Sequence, residues 1–200
     1  MATDKTQGLP HVAAATPAEI AAAAIAPFVQ KRVASLIRSR EAEQLCVNQF
    51  RGKLLKSKEY QYKDIDCFVK SKQGVKYTAS VKDQRTSTKQ GYNTIQLEIE
   101  QVNTRNNKTC HGCFVKNKSD YYFWLVVHNN KEQWCIVKSS VLKEYVNKNK
   151  DTLPTWQTKP NTEAKNRKYG RTYDRSKGVL VTIEKLLELG EMKELAHIEV

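Results

Sequence analysis

The sequence predicts an α/β (α+β) fold in which a central mixed β-sheet is flanked by helices. Three observations predict it. Strand-like runs recur at 64–69, 75–82 and 94–100, with turn residues between them. The run Asp120 to Val127 is almost continuously apolar, as expected of a central strand buried on both faces. Helical patterns open the chain and recur at 139–147 and 183–189.

Taken in order, residues 1–15 are polar and read as a flexible tail. Thr16-Pro17-Ala18-Glu19 is a helix start: Thr16 can cap, Pro17 suits the first helical position and Glu19 completes a capping box. Pro27 predicts a kink or restart in the Ala-rich helix that follows. Phe28, Val29, Val33, Leu36, Ile37 and Leu45 then recur with roughly helical period. Arg32, Arg38 and Arg40 fall off that stripe and read equally as phosphate contacts or as a wet face.

The strands at 64–69 and 75–82 are separated by Gln73-Gly74 and predict a hairpin. Polar residues 83–93 predict a loop. In the third strand Ile95, Leu97 and Ile99 fall on one face, and Gln96, Glu98 and Glu100 on the other. Another polar loop covers 101–112. The aromatic strand has 133–137 as its neighbour across an Asn129-Asn130 turn. A short helix capped by Ser139 or Ser140 follows. Residues 148–178 are basic and hold Pro154 and Pro160, which predicts an irregular segment. The apolar run 179–183 leads into a helix to Leu189, stopped by Gly190.

The chain has 200 residues, with 34 Lys and Arg against 21 Asp and Glu, for a net charge of +13. The size suits one domain, over 16–200: a helical region at 16–50, a sheet core at 60–147, the basic segment at 148–178 and a terminal strand and helix at 179–200. The charge excess points to a polyanion, nucleic acid and most simply DNA. No apolar run is long enough to span a membrane, so no membrane partner is expected. Five Cys at irregular spacing argue against a disulfide framework and for a cytoplasmic protein. The reading leaves room for a homodimer.

Ionisable residues inside strand-like runs mark the candidate site. Asp66 stands among Ile65, Cys67 and Phe68; Lys82 follows Val81; Glu98 and Glu100 flank Ile99. Charge in such surroundings is costly unless it is paired or bound to metal. Asp, Lys and Glu from three adjacent strands suit metal-dependent phosphodiester hydrolysis, in which carboxylates hold Mg2+ or Mn2+ and a lysine aids the attacking water or the phosphate. Surface-lysine and solvated-strand readings of the same residues stand beside it. Cys110 and Cys113 offer two zinc ligands where a structural site wants four, so they read as a loop with two thiols. No Gly-rich phosphate loop is present, which argues against an NTPase.

Asp66, Ser80-Val81-Lys82-Asp83, Gly91 with Asn93, Leu97-Glu98 and Ser119-Asp120-Tyr121-Tyr122 fall in an order that resembles the PD-(D/E)XK nuclease superfamily, in particular its phage-type and resolvase-like members. The resemblance covers about residues 60–127. It implies a restriction-endonuclease-like core and an Mg2+- or Mn2+-dependent endodeoxyribonuclease, acting on branched or single-stranded DNA, in the host cytoplasm if phage-encoded. It implies Asp66, Lys82 and Glu98 as catalytic residues, with Asp66 and Glu98 as metal ligands and Glu100 as the alternative carboxylate. One position departs from the pattern: Ser80 stands where the family has Glu or Asp. That departure opens the rival reading, an inactive nuclease-like protein that binds nucleic acid or inhibits a host factor. The expected backbone grip comprises Arg85, Lys89, Lys116 and Lys118, with Lys165, Arg167, Lys168, Arg171, Arg175 and Lys177 as a second group. Tyr169 and Tyr173 among the second group are expected to stack on bases.

Overall fold

The structure, a computed structural model, describes residues 17–103, 108–158 and 175–194. The chain divides into two compact units, Met1–Ile37 and Arg38–Val200. Helix α1, Pro17–Gln49, is continuous through Pro27 rather than restarted there. Thr16, the expected cap, lies outside the described residues. Val33, Leu36 and Ile37 on α1 are exposed.

The second unit holds two sheets. Its strands are β1 (Lys53–Leu54), β2 (Cys67–Lys70), β3 (Lys76–Asp83), β4 (Thr94–Asn103), β5 (Lys108–His111), β6 (Tyr121–His128), β7 (Lys131–Lys138), β8 (Thr155–Gln157), β9 (Arg175–Thr182) and β10 (Glu191–Glu194). The first sheet has the order β1-β2-β3-β6-β7-β10, and the second β5-β4-β9-β8. The first sheet is mixed, because β3 and β6 pair parallel while its other pairs are antiparallel. Helices α2 (Lys58–Tyr62), α3 (Arg85–Lys89), α4 (Cys113–Lys116), α5 (Ser139–Asn149) and α6 (Ile183–Leu189) connect the strands.

The expected α/β architecture is present, with one correction that bears on the site. The third predicted strand, β4, does not join β2 and β3 in one sheet; its partners are β5 and β9 in the second. The expected irregular stretch at 148–178 is also partly ordered: α5 runs to Asn149, β8 is paired, and β9 begins at Arg175. The polar loop at 83–93 contains α3, and that at 101–112 contains the end of β4 and β5. Strand patterning marks which residues extend, but the choice of partner depends on residues far along the chain.

The hydrophobic pattern explains the rest. Tyr122, Trp124 and Val126 enter one core with Cys135 and Val137 of β7, Leu142 and Val146 of α5, and β4 and β9 residues such as Leu97 and Val181. The alternate residues Phe123, Leu125, Trp134 and Ile136 enter a second core with Ala42, Cys46 and Val47 of α1. Strands β6 and β7 are thus buried on both faces. The β6–β7 turn uses Asn129 and Asn130, both with positive φ, as their small polar side chains allow. Gly74, at φ 81°, turns the β2–β3 hairpin. Thr182 caps α6 through the Lys185 N–H. The expected serine cap on α5 is absent: the cap position is Lys138, and the Ser139 hydroxyl stands 3.4 Å from that of Ser119.

Candidate active site

In β3, Ala79 and Val81 point into the α1-side core, so Ser80 and Lys82 project from the opposite face. Two aspartates reach that face from the connection between α2 and β2. Asp66 lies just ahead of β2, with its Oδ2 accepting the Val81 N–H at 2.6 Å. Asp64 has φ 55°, a left-handed conformation that an Asp tolerates better than most residues. Its backbone and side chain are both held by Asn117, which is fully buried. Asn117 Nδ2 donates to the Asp64 carbonyl at 3.1 Å and to its Oδ2 at 3.3 Å.

Lys82 Nζ stands 2.7 Å from Asp64 Oδ1 and 3.8 Å from Asp66 Oδ2. The Ser80 hydroxyl donates to Asp64 Oδ2 at 3.0 Å. Burial acts against the Lys82 ammonium, but the two aspartates outweigh it and raise its pKa. Asp66 is shifted up: burial is the largest cause, opposed by Lys82 and the Val81 N–H, and Asp64 adds to the rise. Glu43 on α1 is also raised, by burial and then by the charge of Asp66, while Lys82 lowers it. Lys82 therefore acts on three carboxylates, and Arg40 also acts on Glu43.

Glu98 occupies the second sheet. Its Oε2 accepts the Cys113 N–H at 3.1 Å and the Gln101 side chain at 2.9 Å. Burial raises its pKa, yet these bonds and one from Ser176 leave it below the usual carboxylate range. The link between Glu98 and the aspartates is Cys113. Burial pushes its thiol up to about 11, helped by a hydrogen bond to Glu98 and by the charges of Glu98 and Asp64. A side chain at Gly112 would put its Cβ 2.4 Å from the Glu98 carbonyl oxygen, so only glycine lets α4 start this close to β4. Glu98 thus fastens the α4 start to β4, rather than standing on the same sheet as Asp66.

Glu100 does not share the face of Glu98, as strict alternation predicts. A bulge at Ile99 shifts the register, so that Glu98 pairs with Gly178 and Glu100 with Lys177, adjacent positions on β9. Glu100 accordingly meets Lys177 at 3.5 Å.

The remaining expected residues separate into groups. Arg85 is bound to Asp83 at 2.8 Å and to Glu132 at 3.3 Å, and Lys89 to Glu132 at 3.2 Å. Lys116 ends α4, and Lys118 is exposed immediately after Asn117. Arg175 and Lys177 lie on β9, both exposed. Lys165, Arg167, Lys168 and Arg171, with Tyr169 and Tyr173, lie outside the described residues.

Asp64, Glu43 and Asn117 are the site residues that sequence patterning misses, while Cys113 reads in the sequence only as a zinc ligand or a loop thiol. The sequence places Asp64 at the start of a strand over 64–69, whereas β2 begins only at Cys67 and Asp64 stands in a left-handed turn ahead of it. The others are assembled by tertiary contact.

The chain matches no protein-family model, no curated protein and no solved structure. Among the described residues no three His, Cys, Asp or Glu side chains form a ready-made metal cage. The donor set around Lys82 is nonetheless hard oxygen, of the kind that suits Mg2+ or Mn2+. Two of those donors already bracket one cationic nitrogen. Among the described residues no helix is long and apolar enough to cross a membrane.

Proposed function

We propose that the Arg38–Val200 unit is a metal-dependent DNA endonuclease with a restriction-endonuclease-like core. The observation that carries the reading is Lys82 Nζ held between Asp64 and Asp66, beside a Ser80 hydroxyl bound to Asp64. The acid expected at position 80 is replaced by a serine, and a carboxylate from the chain segment opposite reaches that serine. Asp64 therefore supplies the charge that Ser80 lacks. This assigns Asp64 and Asp66, in place of Asp66 and Glu98, as the residues that would hold Mg2+ or Mn2+, with Glu43 within electrostatic reach of Asp66.

When bound, the metal would polarise the scissile phosphate and acidify the attacking water. The chain's own residues do the rest. Lys82 keeps its charge beside the aspartates and stabilises the negative charge that grows on the phosphate oxygens. Asn117 fixes Asp64, so that its carboxylate is positioned before substrate arrives. Val81 N–H holds Oδ2 of Asp66 at 2.6 Å, and Ser80 also acts on that carboxyl group.

Nicking of supercoiled plasmid in Mg2+ or Mn2+, abolished by chelator and by Asp66→Asn, is the expected result. The binding-only reading is favoured by Ser80 and by the Lys82 ion pairs. Tight DNA binding with no nicking in either metal selects it.

A further inference from the structure

Lys143 lies on α5, outside every residue assigned above. Its Nζ donates to the backbone carbonyl of Asn117 at 2.5 Å. Asn117 is the residue whose side chain holds Asp64. The next residue along, Lys118, donates its N–H to the Lys63 carbonyl at 2.9 Å. The 63–64 turn is therefore fastened to 117–118, and Lys143 is fastened to the same step. These bonds put Lys118 and Lys143 on the lip of the site that carries Asp64.

Both side chains are cationic. Burial, and then the charge of Lys118, hold Lys143 below its ordinary pKa, while Asp64 opposes the shift. The Asn117 carbonyl that takes the Lys143 ammonium is bonded to the Lys118 nitrogen, so the two cationic residues meet at one peptide unit, and an anion bound between two such cations lowers their free energy. The Lys143 ammonium has three donors, and one of them serves Asn117. The groups acting on Lys143 are thus one carbonyl, one carboxylate and one further cation. That set suits an oxyanion bound beside the carboxylates rather than among them.

We propose that Lys143 and Lys118 form a phosphate subsite, which takes a DNA backbone phosphodiester next to the one cleaved at Asp64, Asp66 and Lys82. The proposal rests on the nuclease reading for the identity of the cleaved bond. It fixes the side on which the strand leaves the site, past the start of α5.

The test uses the full chain and a short DNA strand in which single linkages are replaced, one at a time, by neutral methylphosphonates. Binding is read by fluorescence anisotropy in Ca2+, and cleavage in Mn2+, for wild type, Lys143→Gln, Lys118→Gln and Lys143→Arg. At one linkage, neutralisation should weaken wild-type binding by about fivefold near 0.15 M salt, the scale of one lost phosphate contact. The same linkage should cost Lys143→Gln nothing further, and Lys143→Arg should regain the sensitivity. If the effects of lysine removal and linkage neutralisation multiply at every linkage, the subsite is wrong. Cleavage by wild type without that coupling overturns the subsite alone. Coupling in binding with no cleavage in Mg2+ or Mn2+ overturns the nuclease reading and supports the subsite as a backbone contact. No DNA binding by wild type overturns both. Should Lys143→Gln fail to fold, Lys118→Gln carries the same comparison.

Discussion

Neighbouring residues of β3 carry two ionic clusters of opposite character. Asp83 points to the α1 side and meets Arg85, which also reaches Glu132, with Glu41 at 3.9 Å; Lys89 completes the group on Glu132. Each guanidinium nitrogen of Arg85 finds a carboxylate, and its pKa is raised, chiefly by hydrogen bonding to Asp83. Lys82 points the other way and faces Asp64 and Asp66, with Glu43 within electrostatic reach. The first cluster sets two cations, both directly paired, among three carboxylates, as suits a structural fastening. In the second, Asp66 and Glu43 have raised pKa values, first through burial and then through neighbouring carboxylate charge, while Lys82 opposes the rise in both and Arg40 in Glu43. The contrast is also why Arg85 and Lys89 make poor candidates for a phosphate grip, since their charge is already engaged.

The largest effect expected from this contrast is on turnover. Lys82→Ala should lower the cleavage rate by about 10²–10³ while leaving DNA affinity nearly unchanged, because growing charge in the transition state is what it meets. Single-turnover kinetics at saturating DNA measure this. A wild-type rate in Lys82→Ala removes the catalytic half of the comparison.

Arg85→Ala should do the reverse. It strands Asp83, whose side chain is only 5% exposed, and should cost about 3 kcal/mol of unfolding free energy. Urea titration gives that number. Per molecule still folded, cleavage should be retained. Loss of cleavage at full stability would mean that the two clusters have exchanged roles.

Divalent metal supplies a third contrast, read without catalysis. Saturating Mn2+, at about 100 times its dissociation constant, should stabilise wild type by about 2.7 kcal/mol. Thermal melts should show the gain in Arg85→Lys and lose it in Asp66→Asn. An equal gain in both would place the metal elsewhere.

The smallest effect concerns pH. Asp66 and Glu43 hold their protons more tightly folded than unfolded, so stability falls as pH rises from about 4 through their raised folded values. Lys82 acts oppositely: its raised pKa contributes stability below about 10.5 that is lost as pH rises through the folded value. In metal-free buffer, melting temperature should decline across the acid window, and Asp66→Asn should flatten the decline. An unchanged slope would show that Asp66 is not under strain.

Much of the fold was legible because its signals are local. Gly74 and the Asn129-Asn130 pair mark their turns, Gly190 follows α6, and the unbroken aromatic run of β6 means burial on two faces. Asp66 and Lys82 stood out because charge in an apolar strand context needs an explanation, and they do meet. The split into two sheets was not legible, since β4 finds β9 some eighty residues later and its alternation fits either sheet. The bulge at Ile99 hid behind a regular apolar pattern and reversed the relation of Glu98 to Glu100. Asp64 escaped notice because its use depends on a left-handed backbone and on Asn117, fifty-three residues away. The pairing of Arg85 was equally invisible, as Glu132 joins it only through the folded sheet.

Strands β6 and β7 serve two cores at once, one on each face. Neither core can dissolve while the other keeps its packing, because the same backbone supports both. Amide protons of Phe123 to Val126 should therefore exchange with solvent only through opening of the whole Arg38–Val200 unit. Their exchange free energies should coincide with the value from equilibrium denaturation, and chemically unrelated probes placed on the two faces should lose their signals at one denaturant midpoint.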